Sequence, residues 1–282
     1  MTANDAACPS TFTAEERSGV LVVTMDRPPA NALNRTLINQ LARLFTELAE
    51  SSDAPAVVLT GQGGRFFTAG GDIKELEGAA THEIDGRMRD FHALVVALER
   101  YPAPVVAAVN GHCVGGGMEI ALFADLVFAV EHARFGFPEI NHGLLPADKG
   151  IRRAAAVLGT RATRTMLLTG ELFDARRAEA IGLVDTVVDP TRLIETAVAA
   201  AHEASTKAPV LYGALKYSIN SPDDDQDEIS LRRTLAAAAA YFDDPRARAL
   251  REGWNAGRDR ATPGTAERLR QQNPVQPAKE PR

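Results

Sequence analysis

The stretch Val105-Val106-Ala107-Ala108-Val109-Asn110-Gly111-His112-Cys113-Val114-Gly115-Gly116-Gly117-Met118-Glu119 decides how this chain is read. Five small or β-branched apolar residues make a buried-type strand, and a triple glycine then opens a helix. Glu119 falls inside an apolar run from Val114 to Val130 whose only other acidic residue is Asp125. An ionised carboxylate without a partner is costly to bury, so such a group shifts its pKa or serves a site. Glycine lets the backbone approach a ligand closely, and a helix start favours developing negative charge. The layout suits acid–base chemistry beside an activated carbonyl. A second glutamate, Glu139 in Phe135-Gly136-Phe137-Pro138-Glu139, is a candidate partner, and the chain reads as an enzyme.

Outward from this stretch, short β-rich runs alternate with helical patterns. Residues 20–25, 56–60 and 126–129 read as strands. Asn34 is placed to cap a helix with Leu37, Leu41, Leu44, Phe45 and Leu48 on one face. A second helix is expected over 84–100, with Met88, Phe91, Val95 and Leu98 at helical spacing. Strands separated by helices predict an α/β arrangement with covered sheet faces. Strand signals stop near Asp189, and 191–205 and 228–243 read as helices.

Composition narrows the class. The chain has 282 residues, 45% hydrophobic and 24% charged, enough for a sizeable core. A net charge of −6 argues against a nucleic-acid footprint over the whole surface, while a local basic patch for a phosphorylated ligand stays open. Cys8 and Cys113 are the only cysteines, so no disulfide framework is implied, and the six histidines form no paired metal-ligand motif. Residues 1–13 have neither the apolar core of a signal peptide nor the basic pattern of a transit peptide. The apolar runs fall short of a membrane span, so a cytoplasmic enzyme with no membrane partner is expected. The expected organisation is a flexible leader over 1–13, a core over 14–190, a helical region over 191–262 and a disordered tail over 263–282.

Six blocks carry a resemblance. They are Asp26-Arg27-Pro28-Pro29-Ala30-Asn31-Ala32-Leu33, Phe67-Thr68-Ala69-Gly70-Gly71-Asp72-Ile73-Lys74, and Val105 to Gly111 with the triple glycine. Phe135 to Ile140 with Leu145-Pro146, Leu168-Thr169-Gly170 with Asp174-Ala175, and Gly182-Leu183-Val184-Asp185 complete the set. In this order, from about Val20 to about Arg260, the chain resembles the enoyl-CoA hydratase/isomerase (crotonase) superfamily. The resemblance implies a crotonase-like ββα spiral core, a C-terminal helical region that trimerises, and a homotrimer or dimer of trimers. It also implies an acyl-CoA thioester as substrate, with no cofactor beyond the coenzyme A that carries it.

By motif position, the resemblance implies that the backbone N–H groups of Gly71 and Gly116 form an oxyanion hole for the thioester, and that Glu119 and Glu139 are the acid/base pair. Paired carboxylates suit the task because proximity pushes their pKa values apart. Plainer readings stay open: turn glycines, a helix-start glutamate and a surface glutamate in an ion pair. Both acids together favour hydration of trans-2-enoyl-CoA. Double-bond isomerisation, aryl hydroxyacyl-CoA cleavage, carnitinyl-type dehydration and non-catalytic acyl-CoA binding are the alternatives. Coenzyme A binding is assigned to Ala30, Ala32, Asp72, Ile73 and Lys74, with Arg258 or Arg260 as further phosphate contacts.

Three departures stand out. Glycine occupies position 71, where many relatives carry alanine. After Pro146, the usual glycine-rich water-pocket pattern is replaced by Ala147-Asp148-Lys149-Gly150-Ile151, and Gly257 stands where an aromatic is frequent. Ala147, Asp148, Lys149 and His142 are therefore candidates for the acyl pocket or water site. The preferred reading of Asp148 and Lys149 is a surface ion pair, and that of His142 a pocket wall or packed loop residue.

Overall fold

The computed structural model describes residues 10–76 and 81–259. Its first half contains β1 (Phe12–Arg17), β2 (Val20–Met25), α1 (Arg35–Ala49), β3 (Ala56–Gly61), β4 (Phe66–Thr68) and α2 (Thr81–Arg100). There follow β5 (Val105–Val109), β6 (His112–Val114), α3 (Gly116–Leu122), β7 (Leu126–Val130), β8 (Arg134–Gly136) and α4 (Asp148–Thr169). The remainder is β9 (Phe173–Asp174), α5 (Ala175–Ala180), β10 (Thr186–Val188), α6 (Leu193–Ser205), α7 (Pro209–Asn220), α8 (Asp224–Asp243) and α9 (Pro245–Asp259).

The chain winds as a spiral of strand pairs. In β3/β4, β5/β6 and β7/β8 the first strand joins a six-stranded sheet of order β1-β2-β3-β5-β7-β10. The second joins a four-stranded sheet of order β4-β6-β8-β9. All neighbours are parallel except β1/β2 and β8/β9. Parallel neighbours require crossovers, which α2 and the other helices supply while covering the sheet. β3 and β5 are buried along their whole length, as their unbroken apolar sequences require.

Local chemistry sets the helix boundaries. The Asn34 side chain accepts from Leu37 N–H at 2.9 Å and starts α1, which buries Leu37, Ile38, Leu41 and Phe45. α8 begins at Asp224, ahead of the expected 228, because Asp223 caps it by accepting from Gln226 N–H at 3.0 Å. β1 starts at Phe12, inside the stretch assigned to a leader. It pairs antiparallel with β2 at the sheet edge and is mostly exposed, so it carries no apolar signal. The expected tail over 263–282 lies outside the described residues, as does Arg260, and Arg258 enters only as helical backbone of α9. Among the described residues, no helix is long and apolar enough to cross a membrane.

Asp125, the second acid of the apolar run, closes the core. It accepts from Val105 N–H at 2.8 Å and from Lys216 Nζ on α7 at 2.7 Å. This half-buried acid of the run is thus paired. Glu119 differs.

Candidate active site

The triple glycine converts a strand end into a site. Gly115 has φ 58°, a left-handed conformation that suits glycine, and its N–H donates to Gly136 O at 2.9 Å. α3 starts at Gly116, so the Gly116 N–H is a first-turn donor without an intrahelical acceptor. Gly70, with φ 77°, packs the 69–71 segment directly onto this turn. A β-carbon there would meet Val114 O at 2.7 Å and Gly116 N at 3.1 Å. The segment is held by Leu33 N–H to Gly70 O at 2.8 Å and Asp72 N–H to Leu33 O at 3.1 Å. Gly71 N–H, like Gly116 N–H, donates no hydrogen bond among the described residues. Two backbone donors from distant parts of the chain therefore lie on adjacent, touching segments.

The two glutamates flank them. Glu119, one turn into α3, is 2% exposed. Its Oε1 accepts from Ala147 N–H at 3.3 Å, and its Oε2 is buried without a hydrogen bond. Glu139 lies in a single 3₁₀ turn over Pro138–His142; the residue is only partly buried, but its Oε2 is enclosed and unbonded. A β-carbon at Gly115 would come within 2.6 Å of Glu139 Oε1, so this carboxylate rests on the glycine turn. Neither glutamate forms an ion pair among the described residues. Burial, and then the neighbouring Glu139 charge, hold Glu119 well above the usual carboxylate range. Burial pushes Glu139 up to about 8. Both carboxyls thus hold a proton more readily than an exposed carboxylate does.

The turn carrying Glu139 is fixed by α9. Arg251 Nη1 donates to Gly143 O at 2.8 Å, and its Nη2 donates to Phe242 O at 2.9 Å. The His142 ring lies 4.9 Å from the Trp254 ring, so His142 is a packed loop residue, and its imidazole pKa is lowered by burial.

The segment after Pro146 departs from expectation. Asp148 and Lys149 do not form a surface ion pair. Adjacent residues on a helix point in different directions. Lys149 is buried and its Nζ donates to Glu99 at 2.6 Å on α2 and to Asp227 at 2.5 Å on α8. Asp148 turns to α8, with its N–H bonded to Thr234 Oγ1 at 2.9 Å and its carboxylate 3.9 Å from Arg233. The Ala147 N–H, expected to be open to a water, is engaged by Glu119.

The assigned coenzyme A segments lie together. Ala30 O accepts from Ala69 N–H at 3.0 Å, Arg27 Nη1 donates to Ala32 O at 3.0 Å, and Arg27 pairs with Asp72 at 2.5 Å. Ile73 is buried beneath this loop and Lys74 is exposed beside it. Arg27 thus supplies a basic residue at the loop despite Pro28-Pro29, although Asp72 partly neutralises it.

Two residues were missed by sequence reasoning. Arg87 on α2 is buried, and a β-carbon at Gly71 would lie 3.0 Å from its Nη2. Tyr241 on α8 has Arg251, Arg87 and Glu139 as its charged neighbours, and burial pushes its hydroxyl up to about 12. The available signal was Arg87 itself, three residues after Ile84 and four before Phe91, on the helix face that is buried. Among the described residues no cluster of three or more histidine, cysteine, aspartate or glutamate side chains is placed to hold a metal. An open depression lined by Glu15, Gln62, Asn110 and His132 contains none of these groups and lies apart from the site.

Comparison with known proteins gives the family. A family model described as enoyl-CoA hydratase/isomerase matches residues 15–258. The chain is 37% identical over 209 residues to a short-chain-enoyl-CoA hydratase of Clostridium acetobutylicum, covering 73% of this chain and 79% of that protein. It is 34% identical over 225 residues to a 2,3-dehydroadipyl-CoA hydratase of Escherichia coli, covering 79% and 85%. Among solved structures, an enoyl-CoA hydratase/isomerase from Mycobacterium paratuberculosis superposes with a TM-score of 0.79 at 29% identity, covering 88% of this chain and 99% of that one.

Proposed function

This chain belongs to the enoyl-CoA hydratase/isomerase (crotonase) superfamily, and from that premise we propose that it hydrates trans-2-enoyl-CoA to 3-hydroxyacyl-CoA. The observation that carries the reading is that Glu119 and Glu139 each hold an enclosed, unbonded carboxylate oxygen, with no ion pair among the described residues, beside the touching glycine segments. The thioester oxygen accepts from Gly71 N–H and Gly116 N–H, which stabilise the negative charge that develops there. Each such donor is worth about 3–4 kcal/mol in comparable sites. One glutamate, ionised, takes a proton from the water whose oxygen bonds to Cβ; the other, protonated, gives its proton to Cα. The net change is addition of H and OH across the double bond, with no redox step. Burial raises both carboxyls, and once one proton has left the pair, repulsion between the two opposes loss of the second, which gives one base beside one acid. Isomerisation needs only one such acid, so two enclosed acids favour hydration.

Ala30, Ala32, Asp72, Ile73 and Lys74 are assigned to the coenzyme A portion, with Lys74 available to a phosphate. The assembly is assigned as a homotrimer or dimer of trimers. In support, α7 exposes Val210 (78%), Leu211, Leu215 and Ile219 (76%), an apolar face that a neighbouring copy would cover. The reaction is tested by loss of enoyl-thioester absorbance with crotonyl-CoA for wild type, Glu119→Gln and Glu139→Gln. Hydration abolished by both changes supports the two-acid mechanism; hydration that survives either change refutes it.

A further inference from the structure

We infer that Arg87 recognises a carboxylate on the acyl part of the substrate, so that the site favours enoyl-CoA thioesters with an acidic tail. The inference rests on the hydratase reading of the same site. Arg87 is only 7% exposed, and burying a guanidinium is costly unless its donors are used. Of its five N–H groups, one makes a hydrogen bond among the described residues, from Nη2 to Leu33 O at 2.7 Å. Its Nε is enclosed and has no hydrogen bond.

Of the surrounding acids, Glu75 is ion-paired with Arg87 without satisfying its donors, and Asp72 and Asp90 pair with other arginines. Glu75 lies 3.6 Å from Nε, beyond hydrogen-bond distance for good geometry, and both its oxygens accept from Arg35 N–H at 2.9 and 3.1 Å. Asp72 is paired with Arg27, and Asp90 with Arg35 at 2.5 Å. Arg87 therefore keeps most of its planar fork for a further acceptor, and a carboxylate is the group that fits this fork bidentately.

The guanidinium also faces the reacting groups. A β-carbon at Gly71 would press on Nη2 at 3.0 Å, so the guanidinium lies against this backbone and an alanine there would move it slightly. One turn further along α2, Phe91 meets the corresponding space at Gly116 at 3.2 Å. The same helix face thus lines both oxyanion donors. Glu119 and Tyr241 are electrostatic neighbours of Arg87, and the Tyr241 hydroxyl makes no hydrogen bond to the protein among the described residues. A tail carboxylate would meet a cationic fork with a neutral hydroxyl as its electrostatic neighbour. A cationic tail meets repulsion there.

The test measures binding separately from turnover. Titration with adipyl-CoA and with hexanoyl-CoA, saturated thioesters of equal chain length, gives a ratio of Kd values for wild type, Arg87→Met and Arg87→Lys. We expect wild type to favour the acidic tail at least about ten-fold, and Arg87→Met to reduce that ratio by about 10- to 100-fold, the range for a charge-assisted hydrogen bond. Arg87→Lys should keep part of the preference. A wild-type ratio near one, or a ratio unchanged in Arg87→Met, overturns the assignment. If Arg87→Met does not fold, the wild-type ratio and Arg87→Lys decide. Preferential binding of the acidic thioester without hydration of any enoyl-CoA would refute the reaction assigned above while leaving the role of Arg87 in place.

Discussion

The carboxylate of Glu119 lies directly against the α-carbon of Gly150: a β-carbon built there would come within 1.9 Å of Glu119 Oε2. Helix α4 thus touches the catalytic candidate from α3 through its one residue without a side chain in the first turn. Gly150→Ala should displace the Glu119 carboxylate and lower kcat for hydration at least about 100-fold, the scale of losing a positioned acid–base group. Helix propensity alone would favour alanine by about 1 kcal/mol, so a folded but inactive variant in a steady-state assay is the expected result. Full activity would show that Glu119 works from another position.

Glu119→Gln and Glu139→Gln should each lower kcat by about 10²- to 10⁴-fold, and the double variant should fall little further. Residues that act as a unit lose their combined effect when either is removed. Strictly additive losses, read from the same absorbance assay, would place the two glutamates in independent roles.

Stability should depend on pH in a definite direction. Burial raises Glu139 from an ordinary 4.5 to about 8, so the folded chain holds a proton that the unfolded chain releases. This contribution is fully present below about pH 4.5 and is lost as pH rises through about 8. Glu139→Gln cannot ionise. Its Tm relative to wild type should therefore increase steadily from about pH 4 to about pH 8. A flat difference across that window would mean that Glu139 is ionised and compensated in the folded protein.

Lys149 should matter for stability. Its ammonium bridges Glu99 and Asp227, which are contributed by two other helices. Lys149→Met leaves those carboxylates facing each other in a buried place and should cost about 3–5 kcal/mol in denaturant unfolding. A change below 1 kcal/mol would show the cluster to be solvated.

The exposed face of α7 makes a prediction about assembly. Leu211→Asp with Leu215→Asp should convert a sedimenting trimer to smaller species without altering the monomer fold. A wild-type monomer at micromolar concentration would remove the assembly assignment altogether.

How much of this was legible in the sequence depends on how far apart the interacting residues are. The strands 20–25, 56–60 and 105–109, the cap at Asn34 and the glycine turn were readable because each is set by neighbours within a few residues. The exposed edge strand β1 and the short strands β4, β6, β8 and β9 were not read as strands, since two- and three-residue strands, and a strand exposed to water, have no apolar pattern to show. The site followed the same division. Glu119 stood out as a carboxylate in an apolar run beside a glycine turn, whereas the roles expected of Glu139, Gly71 and Gly116 came from the resemblance of their motif blocks.

The sequence by itself determined the α/β class, because periodicity is a property of contiguous chain, and its ordered motif blocks carried the resemblance that implied the family and the candidate site residues. Only the tertiary structure decided what each charged group faces. It bonded Lys149 to residues 50 and 78 positions away, paired Asp125 with Lys216, left Glu119 without an ion pair among the described residues and set the Arg87 guanidinium against Gly71. Burial and pairing of charge depend on contacts between distant segments, and the folded arrangement alone fixes which of those contacts form.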